Sequence, residues 1–264
     1  MWGVIFAVLH LKKLYFMNVY FYSGEVEAVK LSTIEISKYK MLDETPYGNP
    51  DSRALTELIV RGIKAQEKIY GPVFSAKVIG YATRLIAKQK GEETVQEIKD
   101  LDQLAEYLLS KSDKMPPYWV VLWAQFVTEK KLEGSQGVGS RVMDIAMFEK
   151  LMGNVVRGAE NVDIDGTLSD YRRIMLESKI APRKMGYKKN DDGSLNILYQ
   201  DCYFLDACNI ALHDEDILKR RNGRMACKFF GSVCLFLKKV TGSEWEYRLV
   251  VFEKPNCLAR CFPI

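Results

Sequence analysis

Two cysteines near the C-terminus, Cys257 and Cys261, are the residues of this sequence whose type and spacing most directly suggest chemistry. The chain has 264 residues with six cysteines, and its two histidines leave little material for histidine-based catalysis. Thiolates bind zinc, and a thiol with a lowered pKa acts as a nucleophile. Free cysteine is also among the most frequently buried residue types. The pair therefore indicates a metal site, a reactive thiol or inert core thiols, and its spacing does not distinguish them.

The two elements before this pair decide whether further thiols lie near it. The sequence predicts a helix that contains Cys227 and runs to Val240, followed by a strand that starts at Trp245 and leads to Cys257. The helix advances about 20 Å at 1.5 Å per residue, and the strand returns about 30 Å at 3.3 Å per residue. If the two elements pack antiparallel, Cys257 lies close to Cys227.

The expected thiol cluster contains Cys227, Cys257 and Cys261, with Cys202, or else Cys208, as a fourth member. Its metal would be zinc, with an iron–sulfur cluster as the alternative. Four ligands would make a closed structural site, whereas three would leave a position for water or substrate. Cys234, which follows Cys227 by two helical turns, is predicted to belong to the core.

The first half of the chain has helical periodicity. A helix capped by Asp51 or Ser52 is predicted to bury Leu55, Leu58, Ile59, Gly62, Ile63 and Ile69. Pro72 is expected in the first turn of a second helix, whose inner face is predicted to contain Val73, Ala76, Ile79, Gly80, Thr83 and Ile86. The small residues of both helices indicate close helix packing. The continuous apolar run from Tyr118 to Val127 fits a buried strand or a buried helix equally well.

From Lys184 onward the sequence is richer in strand signals. Two strand-like runs flank Asn190–Gly193, which is typical of a hairpin turn, and a strand from Trp245 to Phe252 follows the predicted helix. Together with the helices of the first half, these signals predict an α+β fold, an antiparallel sheet with helices packed on it.

Charge and hydropathy narrow the function classes. The formal net charge is only +4 and the basic residues are dispersed, which favours a small-molecule or protein partner over nucleic acid. The apolar opening, residues 2–11, is half the length of roughly twenty residues that a membrane span needs. It also lacks the charge order of a secretory signal. These features predict a cytoplasmic protein with reduced thiols and no membrane span.

The C-terminal third resembles the V4R (4-vinyl reductase, or hydrocarbon-binding) domain family, which is similar in fold to Bet3-type subunits of vesicle-tethering complexes. The resemblance rests on Cys227-Lys-Phe-Phe-Gly231, on the strand that ends in Phe252-Glu253 before a cysteine pair, and on the strand that leads to Cys202. In zinc-binding members, the positions that match Cys227, Cys257 and Cys261 are ligands. The last pair of the family is spaced more widely than here.

The resemblance implies an α+β domain that holds a small apolar or aromatic ligand between helices and sheet, commonly as a homodimer. It implies three parts that fold together: residues 1–114 with a strand and helices, residues 115–183 as a divergent or inserted helical middle, and residues 184–264 with the cysteines. Five aromatic residues are candidates to line the pocket, since such pockets are mostly apolar, although an ordinary core would use the same residues: Tyr81, Trp119, Trp123, Phe126 and Phe230.

The leading hypothesis is therefore a cytoplasmic small-molecule-binding protein with an apolar pocket and a cysteine-ligated zinc. The first alternative is a metal- or cysteine-dependent enzyme, a hydrolase or reductase that acts on a small aromatic or heterocyclic compound. The second is an interaction scaffold like the vesicle-tethering subunits.

Overall fold

The computed structural model contains an antiparallel sheet of five strands: β1 (Lys40–Met41), β2 (Lys184–Lys189), β3 (Leu195–Gln200), β4 (Trp245–Glu253) and β5 (Asn256–Pro263). Their order across the sheet is β1-β2-β3-β5-β4. The structure describes residues 34–43, 48–90, 97–111, 115–132, 138–149, 151–153, 162–205, 207–208, 227–253 and 255–264. The contacts between residues divide the chain into two units, Met1–Ser37 and Lys38–Ile264. The five strands and the helices described next all belong to the second unit.

Seven α-helices lie in the described ranges: α1 (Ser52–Tyr70), α2 (Pro72–Lys90), α3 (Leu101–Lys111), α4 (Pro117–Lys131), α5 (Val138–Phe148), α6 (Ile164–Glu177) and α7 (Lys228–Thr241). An antiparallel sheet with helices packed on it confirms the predicted α+β class. Both histidines, His10 and His213, and the apolar opening at residues 2–11 fall outside the described residues.

Helix α1 is the centre of the helical part and contacts α2, α3, α4 and α5. Its N-cap is Asp51, whose side chain accepts a hydrogen bond from the backbone N–H of Ala54. The predicted inner face is buried as far as Ile63. Ile69, in contrast, is 48% exposed because it lies in the last turn before the chain reverses at Gly71.

Helix α2 begins at Pro72 as predicted, and Thr83 and Ile86 of its predicted inner face are buried, but the first turns of that face differ from the prediction. Val73 is 58% exposed and Ala76 is exposed, whereas the stripe that faces the core is Phe74, Ser75, Val78, Ala82 and Ile86. Both stripes have helical spacing, and the one that contains the large ring of Phe74 buries more apolar surface.

The run from Tyr118 to Val127, for which the period left strand and helix open, forms helix α4. Apolar residues surround most of this helix, and it packs between α1, α2 and α3. A helix that is apolar on all sides is stable only when its neighbours cover it, as here.

Helix α5 connects the helical part to α7 by close approach on both of its sides. A methyl group added to Gly62 of α1 would overlap Met143 of α5, and one added to Gly231 of α7 would overlap a carboxylate oxygen of Asp144. The same Asp144 forms an ion pair of 3.0 Å with Lys228, whose side chain is 1% exposed. The two helices are therefore joined by a buried charge pair and by glycine contacts.

Helix α7 lies on the sheet, where it contacts β4 and β5, and it also contacts α6. It is capped at its C-terminus by Gly242 in the left-handed conformation, with φ of 76°. We call α7 with strands β3, β4 and β5 the C-terminal layer, and α1, α2 and α4 the helical group.

Candidate functional site

All six cysteines follow residue 200, and four of them belong to elements of the C-terminal layer or cap them: Cys227, Cys234, Cys257 and Cys261. Cys257 and Cys261 both lie on β5, a strand of its own that turns back along β4. Side chains alternate along a strand, so these two thiols share the buried face but lie about 13 Å apart. One metal ion cannot be bound by both.

The thiols instead form two groups along α7. Cys227, the N-cap of α7, is near Cys257, with Cys202 and Cys208 in the same neighbourhood. Two turns further along the helix, the thiol of Cys234 lies beside that of Cys261. From Cys227 to Cys234 the helix advances about 10 Å, and from Cys257 to Cys261 the strand advances about 13 Å. The two advances are similar, so each cysteine of α7 lies near one cysteine of β5.

These positions do not fit the predicted metal site. Cys227 and Cys257 are brought near each other and near Cys202, but Cys261 is held beside Cys234, which was predicted to be an ordinary core residue. Among the His, Cys, Asp and Glu residues that the structure describes, no three are arranged so as to hold a metal ion.

The surroundings of Cys202, Cys208, Cys227 and Cys257 favour the protonated thiol. Burial raises the pKa of Cys202, Cys208 and Cys257. Burial also raises the pKa of Cys227 to about 11, although the backbone N–H groups of Phe230 and Phe229 favour its thiolate. Nucleophilic cysteines have a lowered pKa, so this environment suits core packing rather than nucleophilic chemistry.

The predicted pocket residues lie in two different places. Phe230 is on α7, where its ring packs against Tyr199 at 4.9 Å and Tyr247 at 5.7 Å between centroids. Tyr81 lies on α2, and the remaining three predicted residues lie on α4. The structure thus separates Phe230 from the other four, which share two neighbouring helices: Tyr81, Trp119, Trp123 and Phe126.

The space between α7 and the sheet is filled by aromatic rings. Phe204 stacks on Phe229 at 5.1 Å, and Phe229 in turn contacts Tyr199 at 5.6 Å. The buried hydroxyls have partners: Tyr171 and Ser232 share a hydrogen bond of 2.7 Å, and the hydroxyl of Ser232 lies 2.9 Å from the Phe229 carbonyl, to which it donates. These residues of the layer pack against one another and are hydrogen-bonded, and the ligand expected between helices and sheet stays a prediction.

The helical group differs in its polar atoms. Among the described residues, four buried side-chain atoms have neither a hydrogen-bond nor an ionic partner, and all four lie on α1, α2 or α4: Gln66 Nε2, Ser75 Oγ, Trp119 Nε1 and Gln125 Oε1. Other buried polar atoms without an ideal hydrogen bond belong to groups with charged or hydrogen-bonded neighbours, namely Asp144 with Lys228 and Asp165 with Tyr187 and Lys189. The unpaired atoms thus mark this one region.

A polar chain crosses the centre of the helical group. Gln125 Nε2 of α4 donates to Gln66 Oε1 of α1 at 3.2 Å and to Glu129 Oε2 at 2.5 Å. Gln66 and Gln125 are fully buried, and Glu129 is 2% exposed. Buried polar atoms are normally hydrogen-bonded, so two buried glutamines that each use only one of their two amide atoms are unusual.

The sequence contains a signal for these glutamines. Gln125 is the only amide or charged residue in the apolar run from Tyr118 to Val127. Gln66 follows Ile63 by three positions and so continues the apolar face of α1. A polar residue on a face that must be buried indicates either a paired network or a site, but the sequence does not say which residues meet.

We compared the chain with protein-family models, with curated proteins and with solved structures, and no match was found in any of the three comparisons. The resemblance to the V4R family, and the homodimer expected from it, stay predictions. No helix in the described ranges is long and apolar enough to cross a membrane.

Proposed function

We propose that this chain binds a small molecule with an apolar or aromatic body, and that the ligand contacts the buried polar atoms of the helical group. The observation that carries the proposal is the set of four unpaired polar atoms on α1, α2 and α4. Ligand sites are mostly apolar with a few convergent polar groups, and unpaired polar atoms on otherwise apolar buried helix faces support such a site here.

The physical support is the free energy of leaving such atoms unpaired. A buried donor or acceptor without a partner costs about 1–3 kcal/mol, and four of them would be a large fraction of the 5–15 kcal/mol by which a typical protein is stable. Apolar residues at these positions would avoid that cost. A bound molecule that hydrogen-bonds to them explains why polar side chains occupy a buried face.

The aromatic residues named from the sequence fit this location in part. Trp119 contributes one of the unpaired atoms, and Trp123 and Phe126 share its face of α4 at helical spacing. Tyr81, Trp119 and Trp123 are only half-buried, so aromatic surface on α2 and α4 reaches the solvent. Phe230 is not part of the proposed site.

Native mass spectrometry of freshly purified full-length protein tests the proposal. We expect a noncovalently bound organic molecule on the wild-type protein and its loss in Gln66→Leu. The control is Gln103→Leu, which removes an exposed glutamine of α3 and should retain the molecule. Ordered water is the alternative occupant. No bound molecule, together with no thermal stabilisation by one- to three-ring aromatic compounds, would leave water in the site and overturn the proposal.

A further inference from the structure

The hydrogen-bond donors and acceptors of the helical group are oriented by Glu129. A carboxylate oxygen accepts hydrogen bonds, so the Gln125 atom that lies 2.5 Å from Glu129 Oε2 must be the amide nitrogen. This nitrogen also lies 3.2 Å from Gln66, and the atom that faces it there must be the Gln66 oxygen. One carboxylate thus fixes both amides through a chain of two hydrogen bonds.

The orientation leaves a defined free edge. Gln125 Oε1 is an acceptor and Gln66 Nε2 is a donor, and both are buried without a partner. Two amides can close a ring by exchanging both of their hydrogen bonds, but here only one of the two bonds is made. The second donor and acceptor are therefore available to a third group.

We propose that the ligand carries an N–H group beside a carbonyl, as in a lactam or an amide, with Gln125 Oε1 accepting from the N–H and Gln66 Nε2 donating to the carbonyl. This inference rests on the proposed function and names its ligand class. A hydrocarbon has neither group, and a carboxylate has no N–H to offer Gln125. Glu129 is a positioning residue, because it acts on the ligand through Gln125.

Matched ligand pairs test the inference by isothermal titration of the full-length wild-type protein. The probes are pyridone, isoquinolinone and phenanthridinone, which present the same lactam edge on one, two and three rings, each with its N-methyl derivative. A site built to hydrogen-bond a ligand N–H rejects the analogue that lacks it, so we expect the preferred lactam to bind about tenfold or more tightly than its N-methyl form.

Variants test whether Gln125 and Gln66 are the residues that bind the N–H and the carbonyl of the lactam. Gln125→Leu should reduce the preference for N–H over N-methyl to about onefold, and Gln125→Met does the same with less change of shape. Gln66→Leu should weaken both members of a pair, and Gln103→Leu should change neither. Glu129→Gln should also reduce the preference, since a neutral amide both donates and accepts and no longer fixes Gln125.

The outcomes separate the two proposals. Equal binding of lactams and N-methyl forms, or a preference that survives Gln125→Leu and Gln125→Met, overturns the amide edge while small-molecule binding stands. Failure of all three lactams to bind likewise overturns the amide edge. If wild-type protein also carries no molecule in native mass spectrometry and no aromatic compound stabilises it, the proposed function itself fails.

Discussion

Two buried serines, each on a helix, show how the C-terminal layer and the helical group differ. Ser232 on α7 has two hydrogen-bond partners, the Tyr171 hydroxyl at 2.7 Å and the Phe229 carbonyl at 2.9 Å. Ser75 on α2 is also buried, yet its hydroxyl has no hydrogen-bond partner. The same side chain thus stabilises one region and destabilises the other.

This difference extends to the remaining polar atoms of both regions. In the C-terminal layer, Tyr247 accepts a hydrogen bond of 2.8 Å from the backbone N–H of Cys227, and Lys228 forms its ion pair with Asp144. In the helical group, two glutamines and one tryptophan keep an unpaired atom. A satisfied polar network fixes one arrangement of a core, whereas an unsatisfied one is expected where a ligand completes it.

The largest effect is expected from breaking the charge pair at the edge of the C-terminal layer. Lys228→Met leaves the carboxylate of Asp144 buried without its cation, which should lower the free energy of unfolding by about 3–5 kcal/mol. Urea unfolding measures this. The double variant Lys228→Met with Asp144→Asn should recover much of the loss, because no uncompensated charge remains. A loss below about 1 kcal/mol in the single variant, typical of an exposed ion pair, would contradict the role of this pair.

The two serines give the sharpest comparison. Ser232→Ala should destabilise the protein by about 1–3 kcal/mol, because it removes two hydrogen bonds, one of which is the shortest contact of the Tyr171 hydroxyl. Ser75→Ala should be neutral or stabilising in ligand-free protein, because the lost hydroxyl had no partner. Both residues are helical, so the change in helix propensity is the same in both variants. Similar losses of thermal stability for the two variants would remove the distinction between the regions.

The smallest effect concerns pH and belongs to the C-terminal layer. Burial raises the pKa of Cys257 above its usual value near 8.5, so the folded protein keeps a proton that the unfolded chain releases. The stability from this thiol is present below about pH 8.5 and is lost as the pH rises towards the folded pKa. Each such group contributes a slope of about −1.4 kcal/mol per pH unit.

Urea unfolding between pH 8.5 and 10 in the presence of a reductant measures that slope. Cys257→Ala should make the decline shallower by the contribution of one proton. Leu258→Ala, at the neighbouring buried position of β5, should lower stability at every pH without changing the slope. An unchanged slope in Cys257→Ala would mean that its thiol is not protected in the folded state.

Several parts of the fold were predictable because they depend on local chemistry. The cap at Asp51, the start of α2 at Pro72 and the hairpin turn with Gly193 at φ of 79° all follow from residues whose backbone preferences are strong. Element type was harder for α4, because a segment buried on all sides has no periodic pattern to read. The inner face of α2 was predicted wrongly in its first turns, because two stripes of its residues have helical spacing.

The candidate site was predictable only in its residue types. Trp119 and Trp123 were named for their apolar surface, but three of the four polar atoms that distinguish the region belong to Gln66, Ser75 and Gln125, which come from three helices. Their meeting depends on how α1, α2 and α4 pack. For two of the thiols, in contrast, the meeting was predictable: Cys227 and Cys257 were expected to approach each other and do lie in one neighbourhood.

By itself, the sequence determined the class of fold and the approximate helices and strands, since periodicity, caps and turns act over a few residues. Only the tertiary structure decided what the cysteines and glutamines do. Cys257 and Cys261 became separate because β5 is extended, and about 13 Å lie between residues four positions apart on a strand. Gln66 and Gln125 became partners because two helices cross there. Hydrogen bonds and metal ligation depend on distances of a few ångströms between residues remote in sequence, which local patterns do not contain.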